Sequence, residues 1–279
     1  ADETSPIAKL LLDIKRGNAE MTSRYLPARI IPKEALGWLD RAIVAGNVDG
    51  GSMVLQGPIK QFPFNDGSGR FEVRFTIDDG IIDYAQGWPR IEQIATGVAF
   101  VGNRMDINAE AGKVLTADIS QVAVEIPDMR AKPAVVRLHG RVQGSASDVV
   151  GFINQSPLQQ RFGNITEGAV AVGDSSLDLS FNIPLASGAD VETFGRVKFE
   201  NSAVDLTRLG VDLTGLSGEI EFSNKGLSAQ GVSAVIMGQP GKVEIFTEEL
   251  PQDKSNTVCV ALGESRLAEL EKRFDLFVF

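Results

Sequence analysis

Residues 71–100 read FEVRFTIDDG IIDYAQGWPR IEQIATGVAF, and their pattern decides the class of fold. From Phe71 to Ile77 apolar and polar residues alternate without a fault, which puts the apolar side chains on one face of a strand. A connection containing Trp88 follows, and a second strand is approached at Val98. The stretch therefore predicts two strands with one solvent-facing side each, as antiparallel sheets commonly have.

The same alternation recurs along the chain. Residues 177–183, LDLSFNI, alternate as cleanly as the first strand. Shorter examples are VAVEI from Val122, VKFE from Val197 and IEFS from Ile220. Because period-two alternation is the dominant signal, the chain is predicted to be mainly β.

Helical patterns are few. Residues 33–44 follow Pro32, which suits a first helical turn, and carry an apolar stripe. Residues 147–153 have a capping serine and an acid in the first turn. Residues 5–16 and 264–274 are weaker helix candidates near the two ends. These helices are expected to lie at the periphery of the sheet.

A shift of the sequence by 122 positions (205 minus 83) places Asp83 on Asp205 and preserves apolar character through strand, connection and strand. The apolar matches include Ile77 with Phe199, Ile82 with Val204, Ile91 with Leu213, Ile94 with Leu216, Val98 with Ile220 and Phe100 with Phe222. Tyr84 and Trp88, in contrast, fall opposite Leu206 and Gly210. The shift therefore indicates a repeated structural unit, in which the connection is a scaffold rather than a catalytic loop.

Composition excludes several classes of function. The 37 acidic residues outnumber the 27 basic ones, and no basic cluster occurs that could neutralise a nucleic-acid backbone. With one cysteine, Cys259, and one histidine, His139, the chain can form neither an intrachain disulfide nor a Cys/His zinc site. Alternation places His139 on the polar face of a strand, beside Arg137 and Arg141. We expect no nucleic-acid partner, metal or cofactor.

The acids of the 79–94 connection leave two functional alternatives. Asp78, Asp79 and Asp83 could bind a cation, although their spacing is not that of a calcium-binding loop. Asp83 beside Tyr84 and Trp88 could belong to a carbohydrate-active enzyme, because the separation of two catalytic carboxylates is a property of the fold. The alternative of Trp88 packing beneath the connection fits its aromatic side chain better.

Several phrases resemble the YhdP family of AsmA-like proteins, large envelope proteins of Gram-negative bacteria. They are YLPARIIPKEALGWLDRAIVAGNV at 25–48, GPIKQFPF at 57–64, GSGRFEVRFTIDDGIIDYAQGWP at 67–89 and LHGRVQGSASDVVGFINQSPL at 138–158. The resemblance runs from about residue 25 to about residue 243, and its most specific part is 36–89. Residues from 248 onward are not placed by it.

The resemblance implies an elongated, curved antiparallel sheet whose repeated units form an open apolar groove. It implies lipid transport in the periplasm: phospholipid acyl chains shielded between the inner and outer membranes, in support of outer-membrane homeostasis. The inner membrane would be reached through an anchor outside this chain and the outer membrane indirectly. No enzymatic activity is implied.

Alternation alone does not show what covers the apolar face. The sheet can pack against a second sheet, close into a barrel or bind a ligand on this face. By itself, alternation favours a β-sandwich, which would make the chain a binding or adhesion module of the cell envelope. The resemblance reverses that preference. A groove needs only alternation and aliphatic bulk, because burying each methylene contributes about 0.8 kcal/mol.

The groove interpretation predicts which side chains line the apolar face. They are Phe71, Val73, Phe75, Ile77, Val98, Phe100, Val122, Val124, Leu177, Leu179, Phe181, Ile183, Val197, Phe199, Ile220 and Phe222. The expected organisation is a helical N-terminal segment at 1–48, a first groove unit at 49–144, a helical connection at 145–165, a second groove unit at 166–250 and a C-terminal strand and helix at 251–279.

Overall fold

The alternating segments form one antiparallel sheet in the computed structural model, which describes residues 5–21, 33–64, 66–186, 188–224, 226–249, 256–263 and 276–278. Its strands are β1 (Ile7–Asn18), β2 (Ile43–Pro58), β3 (Arg70–Ile82), β4 (Ile91–Val101), β5 (Arg104–Val114), β6 (Ala117–Ile126), β7 (Val135–Ser145), β8 (Val170–Pro184), β9 (Glu192–Leu206), β10 (Val211–Ser223), β11 (Gly226–Ile236), β12 (Gln239–Glu249), β13 (Asn256–Gly263) and β14 (Leu276–Val278). The helices are α1 (Lys33–Ala42), α2 (Ala146–Asn154) and α3 (Gln159–Thr166), with short 3₁₀ turns at Ala19–Met21, Ile59–Gln61 and Thr207–Leu209.

The strands lie side by side in the order in which they occur along the chain. Every neighbouring pair from β1 to β14 is antiparallel, and the sheet is curved and does not close on itself. The prediction of a mainly β, open, curved sheet with a few short helices is confirmed. The β-sandwich alternative is wrong, because a sandwich requires two stacked sheets.

The predicted repeat appears as a repeat of strands. Strand β11 (Gly226–Ile236) has the bounds of β5 (Arg104–Val114) moved by 122 positions (226 minus 104), and β3, β4 and β6 have counterparts β9, β10 and β12 at the same offset to within two residues. Six strands therefore make one period, and α1 and the α2–α3 pair precede equivalent strands in successive periods.

Backbone irregularities recur at this same offset. Asp79 (φ 51°) corresponds to Asn201 (φ 50°), and Gln93 (φ 53°) corresponds to Gly215 (φ 61°). The pairing of β3 with β4 shifts its register near Asp79 and Gln93. The pairing of β9 with β10 shifts its register at the corresponding residues, near Asn201 and Gly215. These are β-bulges, which bend a strand and increase its twist. A line of them on corresponding strands gives the sheet its curvature.

The bulges also keep one face apolar. Beyond Ile77 the next residue directed to the same face is Gly80, three positions on rather than two, and Phe199 is followed in the same way by Ser202. A strict period of two would turn the rest of each strand over. The bulge absorbs the extra residue, so the residues after the bulge keep their apolar side chains on the same face as the residues before it.

Two predicted helices are confirmed and one is wrong. Residues 33–44 form α1 up to Ala42, and 147–153 lie within α2, whose N-cap is Ser145. The helix expected at 5–16 is instead β1, because its residues pair with β2 along their whole length. The helix expected at 264–274 lies outside the described residues.

Candidate functional site: the apolar face of the sheet

A continuous row of apolar side chains crosses the sheet from β3 to β8. Its members are direct cross-strand partners: Phe75, Val98, Ile107, Val124, Leu138 and Phe181. Residues directly opposite each other on antiparallel strands share a face of the sheet. At about 4.8 Å per strand, the five steps of this row span about 24 Å.

The sixteen predicted lining residues all carry partly or fully covered side chains. Phe71, Val98, Phe100 and Phe199 are buried, and the other twelve are half-buried. Further residues of the same face were missed, among them Met105, Ile107 and Leu138. The alternation of RMDINA in β5 was the signal that could have found Met105 and Ile107.

Two apolar clusters occupy parts of this face. The first-half cluster is built on the buried residues Phe64, Phe71, Val98, Phe100, Ile126, Met129 and Ala134. The second-half cluster is built on the buried residues Ala146, Ala171, Phe199, Val211, Leu213, Leu216, Ala229, Val232, Ala234, Ile236 and Val243. Of the predicted lining residues, Val73, Phe75 and Ile77 pack against the first cluster, and Val197 and Ile220 pack against the second.

Between the clusters lies a set of residues that belongs to neither, which we call the junction strip. It consists of Val122, Val124, Leu138, Leu177, Leu179, Phe181 and Ile183, on strands β6, β7 and β8. All seven side chains are half-buried. The strip is thus aliphatic and aromatic surface that the described part of the chain covers only in part.

Glycines give the floor of this face room for large side chains. A Cβ atom at Gly195 would collide with the ring of Phe222, which lies over the glycine backbone on the neighbouring strand. At Gly51 a Cβ atom would lie 2.8 Å from the Cβ atom of Phe75. The ring of Phe222 therefore lies across the backbone of Gly195 on the neighbouring strand, a contact known to stabilise glycine within sheets.

The opposite face is polar and carries a network of ion pairs. Arg104 reaches both Asp106 and Glu125, with N–O distances of 2.6 Å, and Arg137 reaches Glu125 at 3.1 Å. Hydrogen bonds from Arg104 and Arg137 hold the pKa of Glu125 below its usual range. Cross-strand pairing of opposite charges stabilises a solvated sheet face. This face is suited to water, not to lipid.

The connection at 79–94 serves as a structural joint. Asp83 accepts a bond from Arg90 at 3.2 Å. The ring of Trp88 packs against Tyr84 at 6.3 Å and against Phe152 of α2 at 5.5 Å, between ring centroids. Burial, with a contribution from the charge of Asp83, raises the pKa of Tyr84 to about 12. The aromatic residues join the first half of the sheet to α2. Asp83, the acid considered for catalysis, forms an ion pair with Arg90.

His139 lies on the polar face, as predicted, and its Nδ1 atom is 3.2 Å from the hydroxyl of Ser180. A shallow depression of about 390 Å³ surrounds this pair and also contains Glu125. A serine nucleophile requires its histidine to be oriented by a third group. Asp178, two residues from Ser180 along β8, instead accepts a bond from Arg141 at 2.8 Å. The arrangement is that of a solvated polar surface.

Among the described residues, no three His, Cys, Asp or Glu side chains converge in a way that could hold a metal ion. Also within the described part of the chain, no helix has the length and apolarity needed to cross a membrane.

A single open sheet with one apolar face, one charged face and a partly uncovered apolar strip defines a groove-forming β protein. The family model described as YhdP protein matches residues 1–278, and the chain belongs to the YhdP family. The resemblance stated from the sequence is confirmed.

A curated relative is named intermembrane phospholipid transporter YhdP, from Escherichia coli (strain K12). It is 23% identical over 244 residues, which are 88% of this chain and 19% of the relative. The chain thus spans about a fifth of the length of that relative. No solved structure matches the chain.

Proposed function

We propose that this chain is a segment of a periplasmic lipid transfer protein, in which the apolar face shields phospholipid acyl chains between the inner and outer membranes. The observation that carries the proposal is the row from Phe75 to Phe181, which is continuous across six strands and ends in the half-buried junction strip. The name of the Escherichia coli relative supports phospholipid as the ligand. The membranes would be reached through parts outside this chain.

The dimensions and energetics suit an acyl chain. One leaflet of a bilayer has a hydrocarbon depth of about 15 Å, half of the roughly 30 Å core, so a row of about 24 Å accommodates an extended chain. Each buried methylene contributes about 0.8 kcal/mol, without any directional bond. A ligand held in this way can move along the face, because neighbouring positions offer nearly equal surface. No catalytic group has a part in this function.

A charge placed in the junction strip tests the proposal. We expect Phe181→Asp to abolish phospholipid binding and transfer between vesicles, because an ionised carboxylate cannot be buried beneath an acyl chain. The fold should survive, since Phe181 is only half-buried and lies outside both clusters. Lipid is measured by mass spectrometry of solvent extracts after incubation with phospholipid vesicles, and folding by circular dichroism.

The matched control is Val172→Asp, which introduces the same charge on the same strand. Val172 is 59% exposed, and its neighbour Ala171 points into the second-half cluster, so Val172 lies on the opposite face. This variant should bind lipid as the unaltered chain does. Equal lipid content in Phe181→Asp, Val172→Asp and the unaltered chain would contradict the proposal.

A further inference from the structure

We propose that lipid crosses from the first half of the sheet to the second along the junction strip, with helix α2 as the fixed upper wall of its path. The inference rests on the proposed function and adds where the ligand lies. The upper end of a strand is here the end that carries the helices, and the lower end is the opposite one. At strands β7 and β8 the apolar face is bounded at both ends, and the strip is what remains between.

The upper boundary is α2. Its residues Val149 and Val150 pack against the second-half cluster, and Ala146 at its first turn is 1% exposed. Beneath the helix lies Ala171, which is 5% exposed near the start of β8. The helix contacts β7, β8 and β9. Acyl chains therefore cannot reach the upper part of these strands while α2 is in place.

Two contacts fix α2 to the first half of the sheet. The side chain of Asp148 accepts from the hydroxyl of Thr116, in the turn between β5 and β6, at 2.6 Å. Asp148 and Ser145 also form a capping box, which satisfies the free N–H groups of the first turn. At the other end of the helix, the ring of Phe152 packs against Trp88. The helix thus bridges the two halves and is built as a wall.

The lower boundary is made by loops that turn back onto the sheet. Met129 and Ala134, in the connection between β6 and β7, are 4% and 2% exposed within the first-half cluster. Leu185, just after β8, packs against the same cluster, and its N–H donates to the carbonyl of Ala134 at 2.7 Å. These contacts close the lower end of β7 and β8, as α2 closes the upper end.

The open interval on β8 extends from Leu177 to Ile183. Six residue steps of about 3.4 Å make it about 20 Å long. The alternate residues Leu179 and Phe181 lie within it on the same face. Any acyl chain that passes between the two halves of the sheet must cross this interval, so the strip sets the width of the lipid path.

The test maps where lipid touches the unaltered protein. The 279-residue chain is incubated with vesicles of phosphatidylethanolamine and phosphatidylglycerol that contain a phospholipid with a photoactivatable diazirine in its acyl chain. After irradiation, labelled peptides are identified by mass spectrometry. We expect adducts on residues 177–183, and severalfold fewer on residues 170–174 and 211–216, which α2 and the second-half cluster shield.

A variant that loosens the wall completes the test. In Val149→Ser/Val150→Ser, adducts should appear on residues 170–174, whereas Gln155→Ala, at the exposed C-cap of α2, should leave the pattern unchanged. Phe152→Ala provides a second variant, since it weakens the contact with Trp88 without touching the second-half cluster; it should increase the same labelling to a smaller extent.

The outcomes separate the two proposals. Equal labelling of residues 170–174 and 177–183 in the unaltered chain would overturn the role of α2, and so would unchanged labelling in both loosened variants, while lipid binding itself would stand. Labelling confined to the polar face, or absent from every strand, would instead remove the proposed function on which this inference depends.

Discussion

Glu125 illustrates how single residues hold the polar face together. It lies on β6 between Arg104 of β5 and Arg137 of β7 and accepts hydrogen bonds from both. These bonds favour the ionised carboxylate and lower its pKa. Glu72 also accepts hydrogen bonds from two arginines, Arg70 and Arg74, which lie on its own strand β3 and likewise lower its pKa. The sequence places Glu72 beside its partners, but the partners of Glu125 depend on the register of neighbouring strands.

These lowered pKa values predict acid sensitivity. A carboxyl group with a lower pKa in the folded than in the unfolded chain stabilises the fold above its ordinary pKa, about 4.5 for glutamate, and loses that contribution as the pH falls below it. We expect the free energy of unfolding, measured with urea, to fall as the pH is lowered from 6 to about 3. In Glu125→Gln this fall should be smaller, because the glutamine does not titrate.

Glu110→Gln is the control for this pH series. Glu110 is exposed on β5, the strand of Arg104, so its substitution removes the same titratable group elsewhere on the sheet. An identical pH dependence of unfolding in Glu125→Gln and Glu110→Gln would mean that the paired carboxylate has no special part in acid stability.

Among the elements of secondary structure, the β-bulges rather than any single strand give the sheet its curvature. Gly215 has a φ of 61° and its added Cβ atom would meet nothing closer than 3.8 Å, so only the backbone conformation opposes a side chain there. Gly97, on β4, has ordinary extended φ and nothing within 4 Å of an added Cβ atom. The two glycines therefore separate backbone strain from steric crowding.

These two glycines yield a prediction about the stability of the bulge. Gly215→Ala should lower the free energy of unfolding by about 1 kcal/mol, because a left-handed backbone is unfavourable for residues with a Cβ atom. Gly97→Ala should be neutral or slightly stabilising, since alanine reduces the freedom of the unfolded chain. Urea denaturation measures both. A loss in Gly97→Ala as large as that in Gly215→Ala would contradict this account of the bulge.

Elements were predictable where the local signal was strong. The alternation of Phe71 to Ile77 and of Leu177 to Ile183 predicted two strands that the sheet contains. The helix predicted at 5–16 failed because IAKLLLDIKRGN carries no clear period, and pairing with β2 decided its conformation. Bulges were not predictable, because Asp79, Gln93 and Asn201 adopt positive φ only where two particular strands are in register.

The whole molecule is a linear array. Each strand contacts mainly its neighbours in the sheet, so stability is expected to be a sum of local terms rather than one cooperative core. The two apolar clusters are centred on different halves and are separated by the junction strip. Damage to one half should therefore leave much of the other half folded.

Val232 provides the test at this scale. It is 0% exposed in the second-half cluster, and Val232→Ala should cost about 2 kcal/mol through lost contacts and the remaining cavity. Hydrogen exchange followed by mass spectrometry should show faster exchange of β10, β11 and β12, with β3 and β4 protected as before. Val172→Ala, at an exposed position, should alter neither region. Equal loss of protection in both halves would show instead that the sheet unfolds as one unit.

The sequence by itself determined the strongly alternating strands, their apolar and polar faces and the repeat at 122 positions. These follow from the pleat, which sends successive side chains to opposite faces, and from apolar spacing that survives in both copies. Tertiary structure alone decided which apolar residues are covered. Phe100 and Phe181 look equivalent in sequence, yet the former lies 5% exposed within a cluster and the latter is half-buried in the junction strip. The difference arises because coverage depends on distant segments, α2 and the returning loops, which no local period records.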